Sequence, residues 1–89
     1  MNTNILLIIP AYNEEGNIIK LLNEIKKMSL SKVNVEVIIV NDYSTDKTSY
    51  LCKEIGCKVI DLPCNLGIGG AVQTGYKYAY KNNYDVAIQ

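Results

Sequence analysis

The chain contains no histidine, arginine, tryptophan or phenylalanine. Without histidine, neither a Ser/His/Asp nor a Cys/His catalytic set can form. Without arginine, these residues offer no bidentate guanidinium clamp for a phosphate group. Nine basic residues balance nine acidic ones, and no basic run occurs. A nucleic-acid surface or an anionic-membrane surface is therefore not expected.

The cysteines Cys52, Cys57 and Cys64 match no zinc motif by their spacing. Small buried apolar side chains are the simpler interpretation, and an odd number of unclustered cysteines is typical of a reduced cytosolic chain. The apolar run at residues 5–9 is too short for a membrane helix and lacks the basic leader of a signal peptide. We therefore expect a cytoplasmic protein, or one held at the inner face of the membrane by regions outside this sequence.

Short apolar runs alternate with segments of helical periodicity along the 89 residues, which suffice for one small domain. The predicted strands are residues 4–9, 35–40, 58–62 and 84–89, and residues 29–34 are a predicted polar connection. The order βαβαβαβ implies right-handed crossovers and a mostly parallel sheet with helices on both faces. The predicted fold is therefore a three-layer αβα domain of the α/β class.

Three amphipathic helices are predicted between the strands. Asn13 is placed to cap the first, Thr45 or Asp46 to cap the second, and Gly56 to end the second. The third is expected to end at residues 82–83. The side chains predicted to face the sheet are Ile18, Leu21, Leu22, Ile25 and Met28, then Leu51, Cys52 and Ile55, then Ala71, Val72, Gly75, Tyr76 and Ala79.

A polar loop follows the first predicted strand, at the sheet edge where α/β proteins bind ligands. Tyr12 can lie against a base or a ribose. Glu14 can accept a hydrogen bond from a base N–H or a ribose hydroxyl. The alternative is that Pro10 only ends the strand and that Glu14 is a favourable acid in the first helical turn.

Loops after the second and third strands are placed at the same edge. Asp42 directly follows a strand and could accept a uracil or guanine N–H, whereas Asp46 is more simply a cap. The glycine-rich residues 65–70 fail the dinucleotide fingerprint, because Val72 stands where a glycine is needed and the loop follows the wrong strand. Its glycines let the backbone pass close to a ligand and the helix pack tightly, unless the loop is only a flexible helix start.

Three segments together resemble the family 2 glycosyltransferases. Residues 9–14 look like the opening strand and loop of that family, residues 40–46 like its V-D-D-G-S-T-D segment, and residues 65–75 like its N-x-G helix start. The nearest branch resembles the dolichyl- or undecaprenyl-phosphate sugar transferases. The resemblance implies the Rossmann-like nucleotide-binding part of an A-type glycosyltransferase fold over residues 1–89. By position, the predicted donor-binding residues are Pro10, Tyr12, Glu14, Val40 and Asp42, with Ala11, Asn65 and Gly67 from the same loops.

The resemblance also implies an inverting transferase that uses a UDP- or GDP-sugar, with Mg²⁺ or Mn²⁺ on the diphosphate. The acceptor would be a polyprenyl phosphate or a glycan. The Asp-x-Asp metal motif and the general base would lie beyond Gln89, so we expect no catalytic or metal-binding residue in this segment and no sugar transfer by it alone.

Two alternatives to this function stay open. One is a nucleotide-binding remnant without catalysis. The other is a nucleotidyltransferase-like enzyme, although the loop after the first strand is acidic and poor in glycine rather than glycine-rich and basic. For an isolated fragment with an exposed edge strand, we expect poor solubility or self-association.

The sequence departs from the family pattern at two neighbouring positions. Asn41 stands where the family often has aspartate, and Tyr43 stands where it often has glycine. Asn41 keeps hydrogen-bonding capacity without the charge. Tyr43 argues against a glycine-like backbone angle at this turn.

Overall fold

The computed structural model describes residues 3–28 and 32–89. Within these residues the elements are β1 (Thr3–Ala11), α1 (Ile18–Lys26), β2 (Val33–Asn41), α2 (Thr48–Glu54), β3 (Lys58–Asp61), α3 (Gly67–Lys81) and β4 (Val86–Ile88). All the strands are parallel and lie in the order β3-β2-β1-β4. The predicted α/β class is confirmed. The predicted connection at 29–34 lies partly outside the described residues, and its end from Val33 belongs to β2.

Helices cover both faces of the sheet. Side chains alternate between the two faces along each strand, so both faces carry apolar residues that pack against helices. The core beneath α3 contains Leu6, Ile8, Ile38, Val40, Leu62, Ala71 and Ala79. The core beneath α1 and α2 contains Ala11, Ile18, Leu22, Ile39 and Cys52. The predicted three-layer arrangement is therefore confirmed. Cys52 takes the buried apolar role expected of the cysteines and Cys57 is partly buried, but Cys64 is exposed, so the prediction was wrong for Cys64.

β1 continues through Pro10 to Ala11, so the prediction that Pro10 opens a loop was wrong. Successive residues of a parallel strand direct their backbone groups to opposite neighbours, and the Ala11 carbonyl accepts the Asp42 N–H on the β2 side. The ring nitrogen of Pro10 therefore faces the β4 side, where β4 pairs with residues 5–7. A proline at that position removes no hydrogen bond of the β1–β2 ladder.

α1 begins at Ile18 and is not capped by Asn13, contrary to the prediction. The Asn13 side-chain oxygen instead accepts the N–H of Thr45 in the loop after β2. Leu21 and Met28 are exposed rather than buried. α1 ends at Lys26, before Met28. Only a narrow stripe of the helix faces the sheet, with Ile18 and Leu22 buried, and Leu21 lies outside it.

The caps predicted for α2 are correct in part. The N-cap residue is Lys47, which makes no side-chain cap bond, so Thr45 is not the cap. The Asp46 carboxylate accepts the N–H of Thr48, the first residue of α2, at 2.9 Å. Gly56 follows the helix with φ of 84°, an angle that glycine adopts without strain, and this prediction is confirmed.

α3 buries a narrower stripe than its sequence predicted. Ala71, Gly75 and Ala79 are buried, but Tyr76 is 42% exposed. A Cβ atom on Gly75 would lie 2.9 Å from Ile8 Cδ1, so the helix backbone itself approaches β1. Only the smallest side chains fit between α3 and the sheet, and the prediction that Tyr76 faces the sheet was wrong.

Across residues 3–28 and 32–89, no helix combines the length and the apolar character that crossing a bilayer requires.

Candidate functional site

A cavity of about 210 Å³ opens at the carboxyl ends of β1 and β2. Its walls are formed by Pro10, Ala11, Tyr12, Glu14, Asp42, Ile68 and Ala71. Ligands of parallel α/β sheets bind at this edge. Five of the eight predicted site residues thus share one cavity, which we call the crevice.

Val40, Asn65 and Gly67, the other predicted site residues, do not line the crevice. Val40 is wholly buried in the core beneath α3, because alternate residues of β2 face that helix. Its side chain therefore packs in the core beneath α3 and does not line the crevice.

Ile68 and Ala71 line the crevice but were missed by the sequence prediction. Both lie at the start of α3, where the sequence drew attention to the glycines. The signal that could have identified Ile68 is a large apolar residue placed between two glycines, and in the structure Ile68 is 74% exposed.

Asp42 joins the end of β2 to the beginning of α3. Its Oδ1 accepts the N–H of Leu66 at 2.6 Å, and its Oδ2 accepts the N–H of Gly67 at 2.9 Å. The Asn65 side-chain amide donates to the Asp42 carbonyl at 3.2 Å. The first N–H groups of a helix lack helical partners and carry the positive end of its dipole, so they stabilise a carboxylate.

These contacts fix Asp42 in place without using all of its acceptor capacity. Asp42 is only 5% exposed, and a carboxylate has about four lone-pair positions. Gly67 supports the contact with φ of 79°, a left-handed angle that glycine adopts readily. Asn65 and Gly67 therefore act on Asp42 rather than on the crevice surface.

Tyr12 and Glu14 bring different chemistry to the crevice. Tyr12 is 49% exposed and offers an aromatic face, while Glu14 is exposed and offers a second carboxylate. The residues lining the crevice include no basic side chain. An aromatic face beside two acceptor carboxylates suits a planar group that donates hydrogen bonds.

A charged network lies at the ends of β2 and β3. The Asn41 amide donates to Asp61 Oδ1 at 2.9 Å, and Lys53 Nζ lies 2.5 Å from Asp61 Oδ2. Burial alone raises the pKa of Asp61, but the contacts with Lys53 and Asn41 outweigh it and lower the pKa to about 2. Asp61 is therefore ionised at neutral pH.

Tyr43 has φ of 63°, so the turn has a glycine-like angle at this position, against what the tyrosine side chain led us to expect. The turn is closed by the Ser44 N–H, which donates to Asn41 Oδ1 at 3.1 Å. This hydrogen bond helps to hold the left-handed residue despite its side chain.

A larger cavity, of about 470 Å³, opens at the opposite end of the sheet. It is lined by Leu22, Ile25, Lys26, Met28, Val35, Glu36, Val37, Gly56, Cys57 and Lys58. The polar loops that follow the strands are all at the other edge. We therefore take the smaller crevice as the candidate site, because its chemistry and its place in the fold agree.

No group of three or more His, Cys, Asp or Glu side chains within residues 3–28 and 32–89 is arranged to hold a metal ion.

The sequence matches the glycosyl transferase family 2 over residues 6–84. It is 39% identical over 75 residues to an uncharacterized protein of Methanocaldococcus jannaschii, covering 84% of this chain and 29% of the relative. It is 36% identical over 101 aligned positions to the UDP-N-acetylglucosamine–dolichyl-phosphate N-acetylglucosaminyltransferase of Methanococcus voltae, covering 94% and 39%. It is 35% identical over 80 residues to a dolichyl-phosphate beta-glucosyltransferase of Trichomonas vaginalis, covering 78% and 25%. The chain thus spans between a quarter and two fifths of the length of these relatives.

Proposed function

Since the chain belongs to glycosyl transferase family 2, we propose that the crevice binds the nucleoside of a nucleoside-diphosphate sugar, a UDP- or GDP-sugar. The observation that carries the proposal is the meeting of Tyr12, Glu14 and Asp42 in one cavity at the carboxyl ends of β1 and β2. The aromatic ring and the two carboxylates correspond to the flat faces and the N–H and O–H groups of a nucleoside.

In this proposal each side chain has a separate role. Tyr12 lies against the base or the ribose. Asp42 accepts a base N–H with the lone pairs that the start of α3 leaves free, and its two backbone contacts keep it oriented before the ligand arrives. Glu14 accepts from a ribose hydroxyl or from the base. Ile68 adds apolar contact area beside them.

The whole protein is proposed to transfer the sugar by direct displacement. An acceptor oxygen attacks the anomeric carbon opposite the departing nucleoside diphosphate, which inverts that carbon. The names of two relatives contain dolichyl phosphate, which supports a polyprenyl phosphate as the acceptor, with a glycan as the alternative. The proposed Mg²⁺ or Mn²⁺ would take its ligands from outside the described residues.

We assign donor binding, and not transfer, to these 89 residues. The chain spans 39% or less of the length of the relatives described above, which supports a division of the work between this segment and others. Incubation of the purified chain with UDP- and GDP-sugars and a polyprenyl phosphate should yield no glycosylated lipid. Product from a preparation of confirmed mass would refute this assignment.

Equilibrium dialysis with labelled UDP and GDP tests the binding proposal. Tyr12→Ala should weaken binding by roughly tenfold, because stacking on an aromatic ring contributes about 1–3 kcal/mol per base. Tyr80→Ala is the matched control, since Tyr80 is 87% exposed on α3 and does not line the crevice. The proposal fails if the unmodified chain binds neither nucleotide saturably, or if both variants lose affinity equally.

A further inference from the structure

Three consecutive backbone N–H groups after β1 donate to side-chain oxygens in and after the loop that follows β2. The pairs are Asn13 to Ser44 Oγ at 2.9 Å, Glu14 to Thr48 Oγ1 at 2.8 Å, and Glu15 to Asp46 Oδ2 at 3.1 Å. The acceptors occur at every second position of the sequence. We call Ser44, Asp46 and Thr48 the acceptor row.

Thr48 is the fully buried member of the acceptor row, with 0% exposure. Its hydroxyl donates to Asp46 Oδ1, so a lone pair is free to accept the Glu14 N–H. The Asp46 carboxylate also accepts the Thr48 N–H. Burial alone raises the pKa of Asp46, but the hydrogen bonds from Thr48 and Glu15 outweigh it and lower the pKa. Asp46 therefore remains an ionised acceptor at neutral pH.

The two loops also exchange hydrogen bonds in the opposite direction. The Thr45 N–H donates to Asn13 Oδ1 at 2.8 Å, and the Lys47 N–H donates to Glu15 Oε2 at 3.0 Å. Asn13 has φ of 52°, so the chain turns sharply at this point. Reciprocal contacts on both sides of the turn make the two loops a single unit.

Tyr12 and Glu14 flank the turn at Asn13, and both line the crevice. Neither belongs to a helix or strand. The Glu14 carbonyl accepts the N–H groups of Asn17 and Ile18 at the start of α1, whereas the N–H side of the loop is held by the acceptor row, whose side chains do not themselves line the crevice.

We propose that Thr48 is a positioning residue for donor binding, which fixes the backbone of Glu14 so that Tyr12 and Glu14 reach the crevice in a preset orientation. This inference rests on the proposed function of the crevice. A loop that is already ordered loses less conformational entropy when the ligand binds. The binding free energy is more favourable by the entropy cost that is avoided. Ser44 and Asp46 extend the same support to the residues on either side of Glu14.

Thr48→Val, Thr48→Ser and Thr74→Val form the test set. Valine keeps the shape of threonine but can neither accept the Glu14 N–H nor donate to Asp46. Serine keeps the hydroxyl. Thr74→Val is the same substitution at a partly buried threonine of α3, whose hydroxyl donates to the Gly70 carbonyl and which does not line the crevice.

Equilibrium dialysis is carried out with UDP and with GDP, at a temperature where circular dichroism shows every variant folded. Thr48→Val should weaken binding by about tenfold, because the partly buried Glu14 N–H loses its acceptor and the loop loses its preset orientation. Thr48→Ser should recover most of that affinity, and Thr74→Val should leave it unchanged. Equal affinities for Thr48→Val and Thr74→Val would overturn the inference.

Hydrogen exchange at the Glu14 amide separates this inference from the proposed function. If the unmodified chain binds neither nucleotide, the proposed function fails, and the exchange rate still decides whether Thr48 holds the loop. Exchange at Glu14 that is about tenfold faster in Thr48→Val than in Thr48→Ser agrees with the lost acceptor. The same rate in both variants shows that Thr48 does not position this backbone.

Discussion

Asn41 donates its side-chain amide to Asp61 Oδ1 at 2.9 Å, across the ends of β2 and β3. The family that this sequence resembles often has aspartate at the position of Asn41. An aspartate there would face the Asp61 carboxylate with no hydrogen to donate, and two like charges would be close together. Asn41 therefore suits its neighbour Asp61, because an asparagine can donate a hydrogen bond to the Asp61 carboxylate and an aspartate cannot.

Asn41→Asp should lower the free energy of unfolding by about 1 kcal/mol, because it replaces a hydrogen bond with a repulsion at a partly solvated carboxylate. Urea denaturation of Asn41→Asp, Asp61→Asn and the double variant measures the coupling between the two positions. The double variant should be more stable than the sum of the single losses, since it restores an amide facing a carboxylate. Strictly additive losses would show that the two side chains are not coupled.

The pH dependence of stability should report the Asp61 carboxylate. Its pKa is about 2 in the folded chain and about 3.9 in an unfolded chain. A lowered pKa stabilises the fold above the unfolded value, so this contribution is complete above about pH 5 and is lost as the pH falls from about 4 to about 2.

Asp61→Asn lacks this carboxylate and provides the comparison. We expect its deficit in unfolding free energy to be largest near neutral pH and to shrink between about pH 4 and pH 2. Urea midpoints from pH 2 to pH 6 measure this directly. A deficit that stays constant over the range would mean that Asp61 titrates normally.

Gly75→Ala should destabilise the chain by about 1–3 kcal/mol, because α3 leaves no space for a methyl group against β1. The added Cβ would lie 2.9 Å from Ile8 Cδ1. Gly69→Ala is the control in the same helix, where a Cβ meets nothing within 4 Å. It should stabilise the chain by roughly 0.5–1 kcal/mol, since alanine is the better helix former. Thermal unfolding in which the two variants shift equally would contradict the close packing of α3.

Tyr43→Gly should be more stable than Tyr43→Ala, by up to about 1 kcal/mol. Residue 43 has φ of 63°, where any Cβ costs about 1–2 kcal/mol, and the greater freedom of unfolded glycine offsets part of the gain. Denaturant midpoints of the two variants decide the matter. An alanine variant as stable as the glycine variant would argue against a left-handed residue at this turn.

The sequence predicted the sheet and the position of the crevice because both depend on local patterns. Apolar runs separated by helical periodicity fix a parallel sheet, and its topology places the loops after β1 and β2 at one edge. These rules brought Tyr12, Glu14 and Asp42 together without knowledge of any side-chain contact.

The sequence could not predict how these loops are held. Asp42 contacts the start of α3, and Glu14 contacts Thr48, across 24 and 34 positions of the chain. Such contacts leave no periodic signal. For the same reason Asn13, a good cap by its local sequence, instead accepts the Thr45 N–H of the neighbouring loop, and Pro10 is accepted in β1 because its ring nitrogen faces away from β2.

If the crevice between the loops after β1 and β2 binds the donor nucleotide, the amides around it will respond to UDP or to GDP. Chemical-shift mapping of the ¹⁵N-labelled chain with each nucleotide measures this response residue by residue. We expect saturable shifts at the amides of residues 11–14, of Asp42 and of residues 66–68, with little change elsewhere. Shifts confined to the larger cavity at the opposite end of the sheet, or no saturable shift with either nucleotide, would contradict this proposal.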